Sequence, residues 1–265
     1  MKRAVLPALV AAVAAFAAVE PAGAEPRAVI ELFTSQGCSS CPPADRLLGE
    51  LARDPSVVAM SLPIDYWDYI GWKDTLAKPR HTVRQRFYAR ARGDGDVFTP
   101  QVVINGKIHA VGNDKAAIEQ AIAESRREGV TLSVPVKLAS ADGKLNVSVA
   151  AAPDKAGGEV WLCAIGTAIP VAIGRGENSG HTITYHNVVR RWLKLGDFTG
   201  AARTFSVPLT DLESADAAAV IVQAGTADRP GTMLGAALAA LHQVLRIQSH
   251  PCSTLYPSPP PAGEG

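Results

Sequence analysis

Cys38 and Cys41, separated only by Ser39 and Ser40, are the residues of this chain best suited to do chemistry. Two cysteines three apart at a helix start are spaced to close and open a disulfide. The apolar run Val29-Ile30-Glu31-Leu32-Phe33 precedes them, and after Pro42-Pro43 the residues Ala44, Leu47, Leu48 and Leu51 recur at i, i+3, i+4 and i+7. That spacing predicts a helix over about 42–53, with proline in the first turn, where its missing N–H costs nothing. Cys38 then sits at or just before the helix N-terminus, where free N–H groups and the helix dipole favour an anion. A cysteine thiol titrates near ~8.5, and C-x-x-C motifs at helix starts lower that to about 3.5–7.5. A reachable Cys38 thiolate is therefore the expected nucleophile, and Cys41, one turn inside, the resolving thiol. Two other uses of the pair stay open. It could be half of a zinc site, although Cys163 and Cys252 are isolated and no second pair stands at metal spacing. It could be a structural staple, although closing so short a loop removes little entropy from the unfolded chain.

The elements that must hold this motif alternate between strand and helix. Val57–Ile64 is almost continuously apolar, as a strand covered on both faces would be. A helix is expected over about Pro79–Arg92, with Val83, Phe87 and Ala91 on one face. Gln101–Ile104 and Lys107–Val111 flank Asn105-Gly106, the strongest short hairpin signal in a sequence. Asn113-Asp114 then caps a helix in which Ile118, Ala121, Ile122 and Ser125 share a face. The order is β-α-β-α-β-β-α.

Residues 1–24 bear on the compartment. Met1-Lys2-Arg3 is a short basic start, Ala4–Val19 an apolar run shorter than the ~20 residues a spanning helix needs, and Ala22-Gly23-Ala24 a small-x-small cleavage pattern. A signal peptide over 1–24 is the expectation, with an uncleaved anchor as its rival. Export implies the periplasm or the outside, an oxidising space in which disulfides persist. Without those residues the net charge falls from +1 to about zero, so nothing global favours nucleic acid or an anionic membrane. No later segment could span a bilayer.

The C-x-x-C at the first helix, the element order, and Thr99-Pro100 just before the hairpin together resemble the thioredoxin-like superfamily over roughly residues 27–127. More closely, the stretches Glu31–Asp45, Asp65–Asp74 and Thr99–Gly106 resemble an uncharacterised family of secreted bacterial thioredoxin-like proteins, the domain of unknown function 1223. The resemblance implies Cys38 as the attacking cysteine, Cys41 as the resolving one, and Pro100 as a cis-proline facing the disulfide, keeping the Thr99 backbone turned toward a docked peptide. An ordinary trans proline opening an edge strand is the alternative. Thioredoxins usually carry a tryptophan before the first cysteine, whereas Gln36-Gly37 stands here, so potential and partner choice do not carry over.

Two neighbouring stretches could shape a substrate site. Tyr66–Trp72 follows the second strand at the end where the first strand delivers Cys38, and Trp67 and Trp72 are candidate substrate-positioning residues; packing under a long connection is the other use of such rings. Lys78, Arg80, Arg84, Arg86, Arg90 and Arg92 make the next helix basic, either as a solvated surface or as a field favouring the thiolate.

From about Gly129 the apolar period becomes two. Leu132, Val134, Val136 and Leu138 alternate with polar residues, Asp142-Gly143 turns the chain, and strand-like runs follow at 159–165, 182–189, 203–209 and 217–223. Many short strands with glycine and proline turns predict a small antiparallel sandwich over 129–250, separate from the thioredoxin-like unit of 25–128. Residues 233–245 would equally suit a helix, and the proline-rich 251–265 is expected to be disordered. The glycine-rich 174–180 lacks the spacing and lysine of a phosphate loop and is expected to be a surface turn. His181 and His186 are expected on opposite faces, Arg190-Arg191-Trp192 in a mixed surface and core role, and Cys163 as a buried apolar residue, with a Cys163–Cys252 bridge left open.

The expected function is a periplasmic or secreted thiol–disulfide oxidoreductase acting on disulfide-containing proteins or small thiols, with an unknown redox partner and with no metal or organic cofactor required. The competing class is a soft-metal delivery or partner-binding module in which Cys38 and Cys41 hold Cu(I), although methionine-rich and histidine-rich clusters are missing.

Overall fold

The computed structural model describes residues 26–127, 129–155, 157–212 and 215–241, so the expected signal peptide, Cys252 and the proline-rich tail lie outside the described residues. The fold is mixed α/β, with one large mixed sheet and a second, antiparallel sheet. The first half runs β1 (Ala28–Thr34), α1 (Pro42–Leu51), β2 (Val57–Pro63), α2 (Pro79–Arg92), β3 (Gln101–Ile104), β4 (Ile108–Val111) and α3 (Lys115–Ser125). A single 3-10 turn, Asp68–Ile70, interrupts the connection from β2 to α2. β1 pairs parallel with β2 and antiparallel with β3, which forms a hairpin with β4. Asn105 and Gly106 both have positive φ (50° and 73°), the conformation a two-residue hairpin turn demands. Asn105 does more than turn the chain: its Oδ1 accepts from Val29 N at 2.7 Å and its Nδ2 donates to Ser125 Oγ at 2.8 Å, tying β1 and α3 to the hairpin.

The second half contains β5 (Val136–Ala141), β6 (Lys144–Val149), β7 (Gly158–Ala172), β8 (Thr182–Phe198), β9 (Arg203–Pro208), β10 (Ala217–Thr226) and β11 (Arg229–Ala240). β5, β6 and β9 make the small sheet, and β6–β9 packing against β7 and β10 buries Leu145, Val147, Leu162, Val220 and Phe198 in a sandwich-like layer. The other four strands do not stand apart from the first half. The large sheet runs β11-β10-β7-β8-β2-β1-β3-β4, joined where Ser61 of β2 pairs parallel with Val188 of β8. Asn187, next to that pair, takes a positive φ of 48° and donates through Nδ2 to Ala59 O at 3.0 Å. One apolar cluster draws Phe33, Met60 and Tyr88 from the first half and Trp161, Ile221 and Met233 from the second. Of residues 233–245, ambiguous between helix and strand from their spacing, 233–240 belong to β11, which pairs with β10, and 242–245 lie outside the described residues.

Helices α1 and α3 bury the faces their spacing predicts: Ala44, Leu47, Leu48 and Leu51 in one, Ile118, Ala121, Ile122 and Ser125 in the other. Helix α2 has the expected span and turns a different face inward. Val83 is 44 % exposed, while His81, Thr82, Arg84, Gln85 and Tyr88 are buried. The reason is Glu31, which β1 places fully inside the sheet. A buried carboxylate needs a cation and hydrogen-bond donors. Arg84 Nε donates to Glu31 Oε1 at 2.6 Å, Tyr88 OH donates to Glu31 Oε2, and Arg84 also donates to Gln223 Oε1 of β10 at 2.9 Å. Arg84 is therefore neither a solvated charge nor aimed at the cysteines.

Removing one partner of such a buried pair strands the other. Glu31→Gln should lower unfolding free energy by about 3–5 kcal/mol in urea titrations, and adding Arg84→Met should recover most of that loss. Equal stability of Glu31→Gln and wild type would show that the pair is not coupled.

Candidate functional site

Cys38 and Cys41 form a disulfide, with Cα atoms 5.4 Å apart, at the C-terminal end of β1 and the entrance of α1. Cys41 is the N-cap residue of α1, and its carbonyl accepts from Ala44 N at 2.9 Å and Asp45 N at 3.1 Å. Cys38 thus lies before the helix start, as expected, whereas Cys41 stands at the helix entrance and not one turn inside it. Cys38 N donates to Ser35 O and Cys41 N to Cys38 O, so the loop is a succession of tight turns. Cys38 is only 3 % exposed and Cys41 fully buried, while Ser39 and Ser40 between them face solvent. The expectation of a reachable first sulfur is corrected here: the pair is covered.

The Thr99–Pro100 peptide bond is cis. Ser40 Oγ lies 3.4 Å from Cys38 Sγ and donates to Thr99 O at 3.5 Å, which sets the residue before Pro100 beside the motif. Trp67 joins the group by donating from Nε1 to Thr99 Oγ1 at 2.8 Å, and its ring stacks with Tyr69, which is 79 % exposed. Trp72 lies on the other side of the loop and donates from Nε1 to Gln36 Oε1 at 2.8 Å. The structure therefore brings Cys38, Cys41, Thr99, Pro100, Trp67 and Trp72 around one loop, with Trp67 and Trp72 held in hydrogen bonds to that loop's own surroundings.

Three acids and the 174–180 segment escaped the reading of spacing. Asp74 accepts from Gln36 N at 2.8 Å, and burial raises its pKa above the ordinary carboxyl value. Asp45, one turn beyond Cys41 on the same helix, is 2 % exposed, and neither of its oxygens has a hydrogen-bond partner. Burial pushes its pKa from 3.8 up to about 8, and the Thr34 hydroxyl opposes that rise without reaching hydrogen-bonding geometry. The buried Tyr185 hydroxyl is likewise unpartnered, and its pKa is raised by burial first and by Asp45 and Asp74 next. Glu177 Oε2 accepts from Ser39 N at 3.2 Å, and Asn178 Nδ2 donates to both Gln36 O and Cys38 O at 2.9 Å. The glycine-rich 174–180 segment is thus no free surface turn. Its glycines let it lie on Trp72: a Cβ at Gly174 would sit 3.1 Å from the ring.

The remaining candidates lie elsewhere. Cys163 is a buried free thiol whose pKa burial raises. Arg190 is the extra residue of a bulge between β7 and β8, Arg191 donates to Asp211 O at 2.9 Å, and Trp192 packs edge-on against Trp161. The His186 ring packs on Gly49 of α1, where a Cβ would meet it at 2.5 Å. Among the described residues, Asp94, Asp96 and His109 are the group close enough together to hold a metal ion, and Arg92 pairs with Asp94 there at 2.7 Å.

Residues 29–223 match the family described as Protein of unknown function (DUF1223), and the chain belongs to that family. A solved structure of protein AGR_C_4864 from Agrobacterium tumefaciens is 32 % identical over 82 % of this chain and 95 % of its own, with a TM-score of 0.73. HBP35 of Porphyromonas gingivalis shares the fold at 14 % identity, with a TM-score of 0.57 over 90 % of this chain and 81 % of its own. No curated protein matches the chain.

The site's buried acid makes stability depend on pH. Folded Asp45 holds its proton to about pH 8 while the unfolded carboxyl releases it near 3.8, so stability falls between those values as pH rises, by about 1.4 kcal/mol per unit. His81, pushed down by burial from 6.5 to about 4, gives the opposite slope between those two values. The two offset each other below about 6.5, and the net loss falls between about 6.5 and 8. Asp74, also raised, adds to the loss at the acid end of its own titration. In Asp45→Asn, the decline of urea midpoints between about pH 6.5 and 8 should disappear; a wild-type decline that survives the substitution would rule Asp45 out as its source.

Proposed function

We propose that this protein is a thiol–disulfide oxidoreductase of the periplasm or extracellular space, built on a thioredoxin-like first half with a β-rich second half. The observation that carries the reading is the Cys38–Cys41 disulfide lying at a helix entrance beside the cis Thr99–Pro100 bond. In the reduced protein the Cys38 thiolate attacks one sulfur of a substrate disulfide, forming a mixed disulfide and releasing the other sulfur as a thiolate. Cys41 then gives up its proton and attacks the Cys38 sulfur, which frees the substrate's second thiol and restores the Cys38–Cys41 bond. Two electrons pass from the protein to the substrate, and the reverse sequence donates the disulfide.

Several features fit these steps. The entrance of α1 sets the positive end of a helix dipole near the motif, which favours a thiolate. Asp45, buried without a hydrogen-bond partner four residues beyond Cys41 in the chain, has a pKa raised to about 8 and can exchange a proton near neutral pH. The Thr99 carbonyl, with Trp67 holding the Thr99 hydroxyl, offers an edge along which an extended substrate segment can lie. No helix among the described residues is long and apolar enough to cross a membrane. The exported location rests on the composition of residues 1–24.

The direct test is trapping. Cys41→Ser should accumulate mixed disulfides with thiol-reactive partners in a periplasmic extract, seen as reductant-sensitive bands on gels, while Cys38→Ser and wild type should not. Capture by Cys38→Ser equal to that by Cys41→Ser would remove Cys38 from the nucleophile's role.

A further inference from the structure

Beyond the last residue of β10's pairing, β7 and β8 continue alone. β10 pairs with β7 only over Gly158–Ile165, whereas β7 and β8 stay paired to Ala172 and Thr182. The extra length is a two-stranded arm, and its tip at 173–181 is closed by its own hydrogen bonds, Ile173 N to His181 O and Gly180 N to Ile173 O. That tip is hydrogen-bonded to the backbone of the loop that carries the disulfide. Asn178 is 6 % exposed and spends its amide on two carbonyls of the motif loop, one of them belonging to Cys38 itself. Glu177 is exposed and sets its carboxylate on Ser39 N, a donor adjacent to Cys38. The acids around the loop are Asp45 on α1, which keeps its proton to about pH 8, Asp68 and Asp74 in the connection after β2, and Glu177 on the tip.

We propose that the tip of the β7–β8 arm is the gate of the Cys38–Cys41 site, with Asn178 as its latch and Glu177 as a fixed negative charge that admits cationic or neutral disulfides in preference to anionic ones. This deepens the exchange function proposed above and rests on it. Cys38 is 3 % exposed with the tip bonded to its own carbonyl and to the N–H of Ser39, so a partner approaching Cys38 from that side meets the tip. At that edge the carboxylate repels an anionic disulfide and attracts a cationic one. Glu177 and Asn178 act through Cys38 and are positioning residues.

Cys41→Ser supplies the test, because its single reactive thiol reports entry without requiring turnover. Cys38 of that variant attacks cystamine, a dication, or 3,3′-dithiodipropionate, a dianion of similar size, giving a mixed disulfide and one free thiolate; mass spectrometry times each. Cystamine should react about tenfold faster, and Glu177→Gln should cut that ratio about threefold at low salt. Asn178→Ala should accelerate both reagents together, as release of a latch would. A ratio unmoved by Glu177→Gln overturns the charge selection, and unchanged rates in Asn178→Ala overturn the latch. These readouts do not depend on whether natural partners are trapped, so a protein that captures no partner yet shows the shifted ratio would lose the exchange function and keep the gate.

Discussion

A parallel pairing one residue long, Ser61 with Val188, joins the strands of the second half of this chain to those of the first in one sheet. The chain that leads into β8 reaches the cysteine loop through its tip, where Glu177 accepts from Ser39 N and Asn178 donates to Gln36 O and Cys38 O. Side chains at the junction reinforce the placement. Asn187 adopts a left-handed backbone that asparagine tolerates better than most residues, and its amide satisfies Ala59 O, a carbonyl in β2. The His186 ring fits against α1 only because position 49 has no Cβ. The same stretch of chain, before β8 begins, seats Asn178 and Glu177 on the cysteine loop.

The electrostatics of that loop differ from what a helix entrance alone would produce. An N-terminal dipole and free N–H groups favour an anionic sulfur. Here Gln36 N and Ser39 N, on either side of Cys38, are already occupied by the carboxylates of Asp74 and Glu177. The basic helix contributes little to offset them, since Arg84 is committed to Glu31 and Arg80 lies over the rings of Trp161 and Trp192. The balance at Cys38 is therefore set by acids brought from two separate connections.

Much of the scaffold was legible from the residues. Apolar spacing located α1 and α3 and the faces they bury, and Asn105-Gly106 and Asp142-Gly143 marked hairpins whose turns do take positive φ. The six residues assigned to the site do surround one loop. What failed to show was whatever depends on long-range neighbours. Periodicity assigned Val83, Phe87 and Ala91 of α2 to the interior, but a buried Glu31 on β1 outweighed their apolar area and drew the polar face inward. The 174–180 glycines read as a surface turn because spacing carries no record of the Trp72 ring beneath them. Nothing in the spacing marks Asp45, an acid in a helix's first turn, where negative charge is common; only burial without a partner distinguishes it.

The apolar cluster that mixes Phe33, Met60 and Tyr88 with Trp161, Ile221 and Met233 has a consequence for how such chains can be cut and recombined. Excising the cysteine-bearing segment near residue 128 would bare that shared surface to water and leave the Glu31–Arg84 pair without Gln223. The motif cannot be treated as a portable cassette. Grafting it elsewhere, or trading second halves between relatives, would have to carry β7, β8 and β10 along with it.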